Sequence, residues 1–167
     1  AMAQAKPGNY IACFPSYAYM ALVFKHYRML WPYDAVLCQE AHMSEKQRAA
    51  FIDRFQPAPA KSMVAFVVLG GVFSEGVDLP DDRLSGAAIV STGIPQISFE
   101  RETLRALLDD SDDDGTNAAY TYPGIRRVLQ AAGRVIRTET DRGVVLLMDQ
   151  RYRQENLREL MPAHWDV

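Results

Sequence analysis

The sequence has little excess charge and no long hydrophobic run. Its 18 lysine and arginine residues, against 21 aspartate and glutamate residues, leave a net charge of −3. This balance excludes a protein that coats nucleic acid through bulk positive charge, so any such contact must be local. No apolar stretch approaches the ~20 residues of a membrane-spanning helix, and no signal-peptide pattern opens the chain. We therefore expect a cytoplasmic protein with no membrane partner.

The sequence also has few groups that could bind a metal. Its two cysteines, Cys13 and Cys38, lie in apolar runs, where a free cysteine behaves as a small hydrophobic residue. Two thiols cannot supply the four ligands of an iron–sulfur cluster or a closed zinc site. The five aspartates between Asp109 and Asp114 are typical of a solvated loop rather than a metal site. We expect no metal centre in this chain.

The chain contains enough apolar sequence for one core. It has 167 residues, of which 49% are hydrophobic and 23% are charged, as is typical of a globular domain. Residues 1–167 are therefore expected to form a single domain.

Apolar segments that predict strands alternate with segments that predict helices. The strand predictions cover residues 10–14, 35–39, 62–70, 86–92 and 144–148, and the last strand is expected to be buried. The helix predictions cover residues 17–30, 44–55, 99–108, 125–138 and 151–160. Ser44 with Gln47 predicts a capping box at the start of the second helix, and Asp149 is expected to cap the last one. Because no hairpin signal joins neighbouring strands, the pattern indicates a parallel sheet with right-handed crossovers and helices on both faces. The predicted fold class is α/β.

The segment at residues 125–138 predicts a helix with two opposed faces. Its apolar face consists of Ile125, Val128, Leu129, Ala132, Val135 and Ile136. Its polar stripe consists of Gln130, Gly133, Arg134 and Arg137. An ordinary surface helix also has a charged face, but a glycine inside a helix costs roughly 1 kcal/mol relative to alanine. Gly133 therefore indicates that something approaches the backbone, and the paired arginines suit a polyphosphate.

Two segments that follow predicted strands are candidate site walls. Residues 70–78 hold three glycines, a hydroxyl and two carboxylates, and ligands of parallel sheets bind beyond the carboxyl ends of strands. The composition fits a plain loop equally well. Ser16 lies at a helix N-terminus, which favours an anion, although helix capping alone would also explain it.

Three separated segments together resemble a known family. They are Phe-Pro-Ser-Tyr at 14–17, Phe-Ser-Glu-Gly-Val-Asp at 73–78 and Gln-Ala-Ala-Gly-Arg-Val-Ile-Arg at 130–137. In this order they resemble motifs IV, V and VI in the second motor domain of DinG/XPD-type superfamily 2 ATP-dependent DNA helicases. The third is the most specific. The resemblance implies a RecA-like three-layer sandwich, with a mostly parallel sheet flanked by helices.

The resemblance also implies that half of a motor is missing from this chain. In these enzymes ATP and Mg²⁺ are held mainly by a first RecA-like domain, whose phosphate loop, G-x-x-x-x-G-K-[ST], does not occur here. The segment at 39–42, Gln-Glu-Ala-His, lacks the leading aspartate of a DEAH box, and we interpret it as coincidence. The family's iron–sulfur insert belongs to the first domain, so the parent protein could still carry a cluster.

The resemblance assigns roles to the matching residues. The catalytic candidates, which would act at the γ-phosphate of ATP, are Arg134, Arg137 and Gln130. The candidates for ATP binding and for coupling it to nucleic acid are Glu75, Gly76, Asp78 and Gly133. The candidates for contact with single-stranded DNA are Ser16, Tyr17, Ser74 and Thr92. Hydroxyl and stacking contacts of this kind read no base sequence.

We therefore expect the second motor domain of an ATP-dependent DNA helicase, inactive when isolated. The resemblance implies 5′ to 3′ polarity and a role in DNA repair. The expected partners are single-stranded DNA and the first RecA-like domain of the same polypeptide. The alternative is a stand-alone α/β nucleotide- or protein-binding module without motor activity, because a fold does not fix an activity.

Overall fold

The computed structural model describes residues 2–32, 34–76, 83–110, 114–136 and 141–165, with only the backbone of residues 75 and 76. The strands are β1 (Asn9–Phe14), β2 (Ala35–Cys38), β3 (Met63–Val68), β4 (Gly86–Val90) and β5 (Val144–Met148). The α-helices are α1 (Met2–Ala5), α2 (Tyr17–Leu30), α3 (Glu45–Ile52), α4 (Phe99–Asp109), α5 (Tyr122–Ala132) and α6 (Glu155–Arg158). Val72–Gly76 and Asn117–Thr121 are π-helical turns, and Gln150–Arg153 is a 3₁₀ turn.

The strands form one sheet in the order β2-β3-β1-β4-β5, and every neighbouring pair is parallel. The predicted α/β class and parallel sheet are confirmed. All five strands end at the same side of the sheet, which we call the carboxyl edge. Among the described helices, none is both long and apolar enough to cross a membrane; the cytoplasmic location stays a prediction.

Helices cover both faces of the sheet because side chains alternate along each strand. On β1, Ile11 and Cys13 face a core that includes Phe51 of α3 and Val128 of α5. The next residue, Phe14, faces the opposite side and packs with Met20 and Phe66. Burial raises the pKa of the Cys13 thiol to about 12, so this cysteine behaves as a hydrophobic residue. The result is three layers.

Local signals fix several helix starts. The Ser44 hydroxyl accepts a hydrogen bond from the Gln47 backbone, and the Gln47 side chain accepts one from the Ser44 backbone. This reciprocal capping box satisfies two donors that would otherwise be unpaired. The bounds predicted for α2, residues 17–30, are also confirmed.

The helix predicted at residues 125–138 is shorter than expected. It ends at Ala132, and Gly133 is its C-cap, with φ −64°. The amides of Arg134 and Val135 then bond to carbonyls three residues earlier, at 3.3 and 3.0 Å, which tightens the backbone away from α-helical spacing. Gly133 is therefore not inside a helix, and Ile136, expected in the core, is 48% exposed.

The C-terminal part also differs from prediction. β5 was expected to be buried, but it is the last strand of the sheet, and every second residue along it is exposed. Val145 and Leu147 pack against the core, whereas Val144, Leu146 and Met148 are each 43–53% exposed. The helix expected at residues 151–160 is divided because the backbone at Gln154 is extended.

The backbone at Gly93 yields a stability prediction. Its φ is +71°, and an added Cβ would lie 2.6 Å from the Gly124 carbonyl oxygen. Gly93→Ala should lower the free energy of unfolding by about 1 to 3 kcal/mol from backbone strain alone. Urea denaturation followed by circular dichroism measures this change.

Gly133→Ala is the matched control. Its φ is ordinary, and the nearest atom to an added Cβ is the Leu129 carbonyl oxygen at 3.2 Å. The free energy of unfolding should change by less than about 1 kcal/mol. Equal destabilisation by the two substitutions would contradict the difference we assign to these glycines.

Candidate nucleic-acid and nucleotide interface

The carboxyl edge brings together the predicted DNA-contact residues. Because the strands are parallel, the segments that leave them emerge side by side. The residues that follow β1, β2, β3 and β4 at this edge include, respectively, Tyr17, Gln39, Ser74 and Thr92.

Ser16 and Tyr17 begin α2 at this edge. The Ser16 hydroxyl accepts a hydrogen bond from the Tyr19 amide at 3.2 Å and so caps the helix. The Tyr17 side chain is more open, with 40% of the residue exposed. Its hydroxyl accepts a hydrogen bond from Gln39 Nε2 at 2.8 Å. Tyr17 therefore presents an aromatic ring whose outer end is held in place.

Ser74 lies inside the turn that follows β3. It is fully buried, and its hydroxyl lies 3.2 Å from the Val68 carbonyl oxygen and 3.1 Å from that of Gly71. The Ser74 hydroxyl oxygen also accepts a hydrogen bond from the Gly71 amide at 3.1 Å. The hydroxyl that was predicted to touch DNA therefore closes the turn instead of facing the surface.

Thr92 is also buried, in a strained turn. It is fully inaccessible, and its hydroxyl has no hydrogen-bond partner within the described residues. The residues on either side, Ser91 and Gly93, have φ of +76° and +71°, and this conformation is uncommon for a non-glycine residue such as Ser91. The Tyr152 hydroxyl donates to the Ser91 carbonyl at 2.8 Å. Thr92 thus lies beneath the edge and not on it.

An ion pair that we did not predict supports this strained turn. Arg151 donates through Nε and Nη2 to the two oxygens of Asp149, at 2.9 and 2.7 Å. These hydrogen bonds hold the pKa of Asp149 below its usual value. Arg151 also donates to the Ser91 hydroxyl at 3.3 Å. The sequence indicated only the capping role of Asp149, which its bond from the Arg151 amide at 2.9 Å fulfils.

The residues of the predicted polar stripe point in different directions. Gln130 is exposed and lines a surface depression with Tyr122 and Leu160. Gly133 lines a groove of ≈ 710 Å³ beside β5. Arg134 is half-buried and lines a small pocket with Phe73, next to the turn at Val72–Gly76. The stripe is divided because α5 ends before Gly133.

Arg127 is a further cation at the carboxyl edge that the sequence reasoning missed. Gly70 has φ +78°, and a Cβ added there would lie 2.9 Å from Arg127 Nε. The absent side chain of Gly70 therefore makes room for the arginine beside the turn. Arg127 precedes Gln130 by three residues and Arg134 by seven, so extending the predicted stripe by one turn would have found it.

Some predicted residues lie outside the described structure. They are Asp78 and Arg137. Of Glu75 and Gly76, only the backbone is described. Within the described ranges, no group of three or more histidine, cysteine, aspartate or glutamate side chains could hold a metal ion. The predicted binding of ATP and Mg²⁺ stays a prediction.

Comparison with known proteins gives a consistent family. The profile described as "Helicase C-terminal domain" matches residues 1–167. The chain is 28% identical over 165 residues to "General transcription and DNA repair factor IIH helicase subunit XPD" of Schizosaccharomyces pombe, covering 93% of this chain and 21% of that protein. It is 35% identical over 111 residues to "ATP-dependent DNA helicase chl-1" of Caenorhabditis elegans, covering 64% and 13%. The chain thus spans about a fifth or less of these relatives.

Solved structures share the fold. A structure titled "XPD_APO" superposes with a TM-score of 0.69 at 21% identity, covering 94% of this chain and 31% of that one. A second, titled "Mss116p DEAD-box helicase domain 2 bound to an RNA duplex", has a TM-score of 0.50 at 12% identity, covering 87% and 43%. The expected RecA-like sandwich is confirmed.

The burial of Ser74 predicts a structural effect of its substitution. Ser74→Ala removes a hydroxyl that satisfies buried backbone groups, so the free energy of unfolding should fall by about 1 to 3 kcal/mol. Urea denaturation of Ser74→Ala and Thr103→Ala tests this. The exposed Thr103 hydroxyl donates to the Phe99 carbonyl at 2.9 Å within its own helix, and water can replace it, so its loss should cost less. An unchanged stability of Ser74→Ala would contradict the buried hydrogen bonds.

Proposed function

Because the chain belongs to the helicase C-terminal domain family of DinG/XPD-type superfamily 2 helicases, we propose that it is the second motor domain of an ATP-dependent DNA helicase. It supplies motifs IV, V and VI for ATP hydrolysis and for translocation along single-stranded DNA, with 5′ to 3′ polarity. Relatives named as ATP-dependent DNA helicases and as a DNA repair factor support this activity and a role in repair.

The observation that carries the proposal is the position of the turn at Val72–Gly76. On one side, Phe73 of the turn shares a small pocket with Arg134, the catalytic candidate. On the other, Ser74 bonds to the end of β3, which is linked to Tyr17 through Gln39. One turn therefore separates the residue proposed to contact the nucleotide from the residue proposed to contact DNA. A shift of this turn on nucleotide binding would therefore change the positions of both Arg134 and Tyr17.

The contact with single-stranded DNA is proposed to depend mainly on Tyr17. An exposed aromatic ring can stack on any base, as a motor that moves along arbitrary sequence requires. The net charge of −3 fits such a local contact better than a broad electrostatic surface. Ser16, at the start of α2, and Arg127, beside Gly70, are proposed to contact the phosphate backbone. Ser74 and Thr92 contribute by shaping this edge from below.

The nucleotide side is proposed to complete a site held mainly by the first RecA-like domain, which also binds Mg²⁺. Arg134 and Arg137 would stabilise charge on the transferred phosphoryl group, and Gln130 would position the nucleotide or water. Gly133 leaves the end of α5 open to close approach, since an added Cβ there would meet only helix carbonyls. Glu75, Gly76 and Asp78 would relay domain closure to the DNA side.

Arg134→Ala in the full-length protein should lower DNA-stimulated ATPase turnover by about 10³-fold, because the charge that develops in the transition state loses its partner. The matched control is Arg126→Ala, which removes an exposed arginine of α5, the helix that ends just before Arg134, and should leave turnover unchanged. Circular dichroism checks that both variants fold. Retained turnover in folded Arg134→Ala would count against the catalytic assignment.

The isolated 167-residue chain should hydrolyse no ATP, because it contains no phosphate loop. The measurement is phosphate release with and without single-stranded DNA. Hydrolysis that disappears in an Arg134→Ala control would show that this domain is sufficient, and would overturn the need for a first domain.

A further inference from the structure

The side chain of Gln39 extends the sheet beyond the end of β2. The Gln39 amide donates to the Phe66 carbonyl at 2.9 Å, as a regular parallel pair would. In a parallel ladder, the carbonyl of the same residue would then accept from the amide two residues further along, at Val68. Instead, Val68 donates to Gln39 Oε1 at 2.8 Å. The side-chain amide thus takes the place of a peptide group.

The hydrogen-bond partners on either side determine how the Gln39 amide is oriented. The Val68 amide can only donate, so the amide oxygen must face it. The amide nitrogen must then face Tyr17, whose hydroxyl it reaches at 2.8 Å. Because only 7% of Gln39 is exposed, water competes little for either bond. Both bonds are therefore made by one fixed amide plane.

This amide is the middle of a continuous chain of hydrogen bonds. Tyr17 bonds to Gln39, Gln39 bonds to the Val68 amide, and the Val68 carbonyl lies 3.2 Å from the Ser74 hydroxyl. Gly71 is also close, since a Cβ added there would lie 3.6 Å from Gln39 Nε2. The chain joins the start of α2 to the π-helical turn.

We propose that Gln39 is a positioning residue that holds the Tyr17 ring in place for stacking on single-stranded DNA and ties it to the turn at Val72–Gly76. The inference rests on the proposed function, because it requires that Tyr17 contact DNA. Gln39 itself touches no base. It acts by removing rotational freedom from the Tyr17 ring, so that less entropy is lost when a base stacks on it.

A purely structural Gln39 would behave differently in one measurable way. Losing its two bonds would then lower stability but would leave the DNA affinity of the folded protein unchanged, whatever residue stands at 17. A positioning Gln39 matters for affinity only when the tyrosine ring and hydroxyl are present. A double-mutant cycle separates the two cases.

The experiment uses the full-length protein and a fluorescein-labelled oligo(dT), with affinity measured by fluorescence anisotropy. Tyr17→Ala should weaken binding about tenfold or more, as expected for one lost stack. Gln39→Met, which keeps the length but removes both hydrogen bonds, should weaken binding about three- to tenfold. In the Tyr17→Ala background the same Gln39 substitution should change affinity by less than about twofold. Gln154→Met, at an exposed glutamine, is the matched control and should bind normally.

Tyr17→Phe covers the case in which Gln39→Met does not fold. It breaks the Tyr17 to Gln39 bond while keeping the ring and the Gln39 bond to Val68, so the sheet is retained. Its affinity should fall about three- to tenfold. Wild-type affinity in Tyr17→Phe would overturn the inference.

The remaining outcomes separate the two levels of the proposal. If Tyr17→Ala loses affinity but Gln39→Met does not, or if Gln39→Met weakens binding equally in both backgrounds, the positioning role is wrong and the DNA contact stands. If Tyr17→Ala binds oligo(dT) as tightly as wild type, the contact assigned to Tyr17 is wrong and the inference falls with it.

Discussion

The parallel alignment of the five strands is the constraint on which the rest of the structure depends. It requires each strand to be followed by a crossover, and it delivers every strand end to one edge of the sheet. Residues that are far apart in sequence, such as Tyr17, Gln39 and Ser74, become neighbours for this reason alone. Polar chemistry collects at the carboxyl edge because apolar packing covers both faces of the central strands β1 and β3.

The carboxyl edge has an exposed layer and a buried layer of side chains, and the two layers have different roles. Tyr17 is open to solvent, whereas Ser74 and Thr92 are fully buried beneath it. A buried hydroxyl that satisfies backbone groups costs free energy when removed, so Ser74 can be indispensable without touching a ligand. Thr92 is held between two left-handed residues, with the Arg151 and Asp149 pair and Tyr152 fixing one side. Motif residues of both layers would look alike in a sequence.

The sequence was sufficient for features that depend on local or periodic signals. Hydrophobic runs located all five strands, and the capping box at Ser44 identified the start of α3. It failed where tertiary contacts decide. Whether β5 is buried depends on its place in the strand order, which periodicity does not contain, and the early end of α5 depends on i to i−3 hydrogen bonds. Gln39 gave no signal because its role comes from the ends of two other elements.

The uncovered side of β5 has a consequence for handling the protein. Val144, Leu146 and Met148 form a bare apolar row on the outermost strand, and the flanking groove reaches Trp165. Among the described residues no strand pairs with the outer side of β5, so its backbone offers a template for strand addition by another molecule. Concentrated solutions of this chain alone are therefore expected to self-associate through the unpaired side of β5. The substitution Leu146→Lys would be the simplest way to keep the chain monomeric.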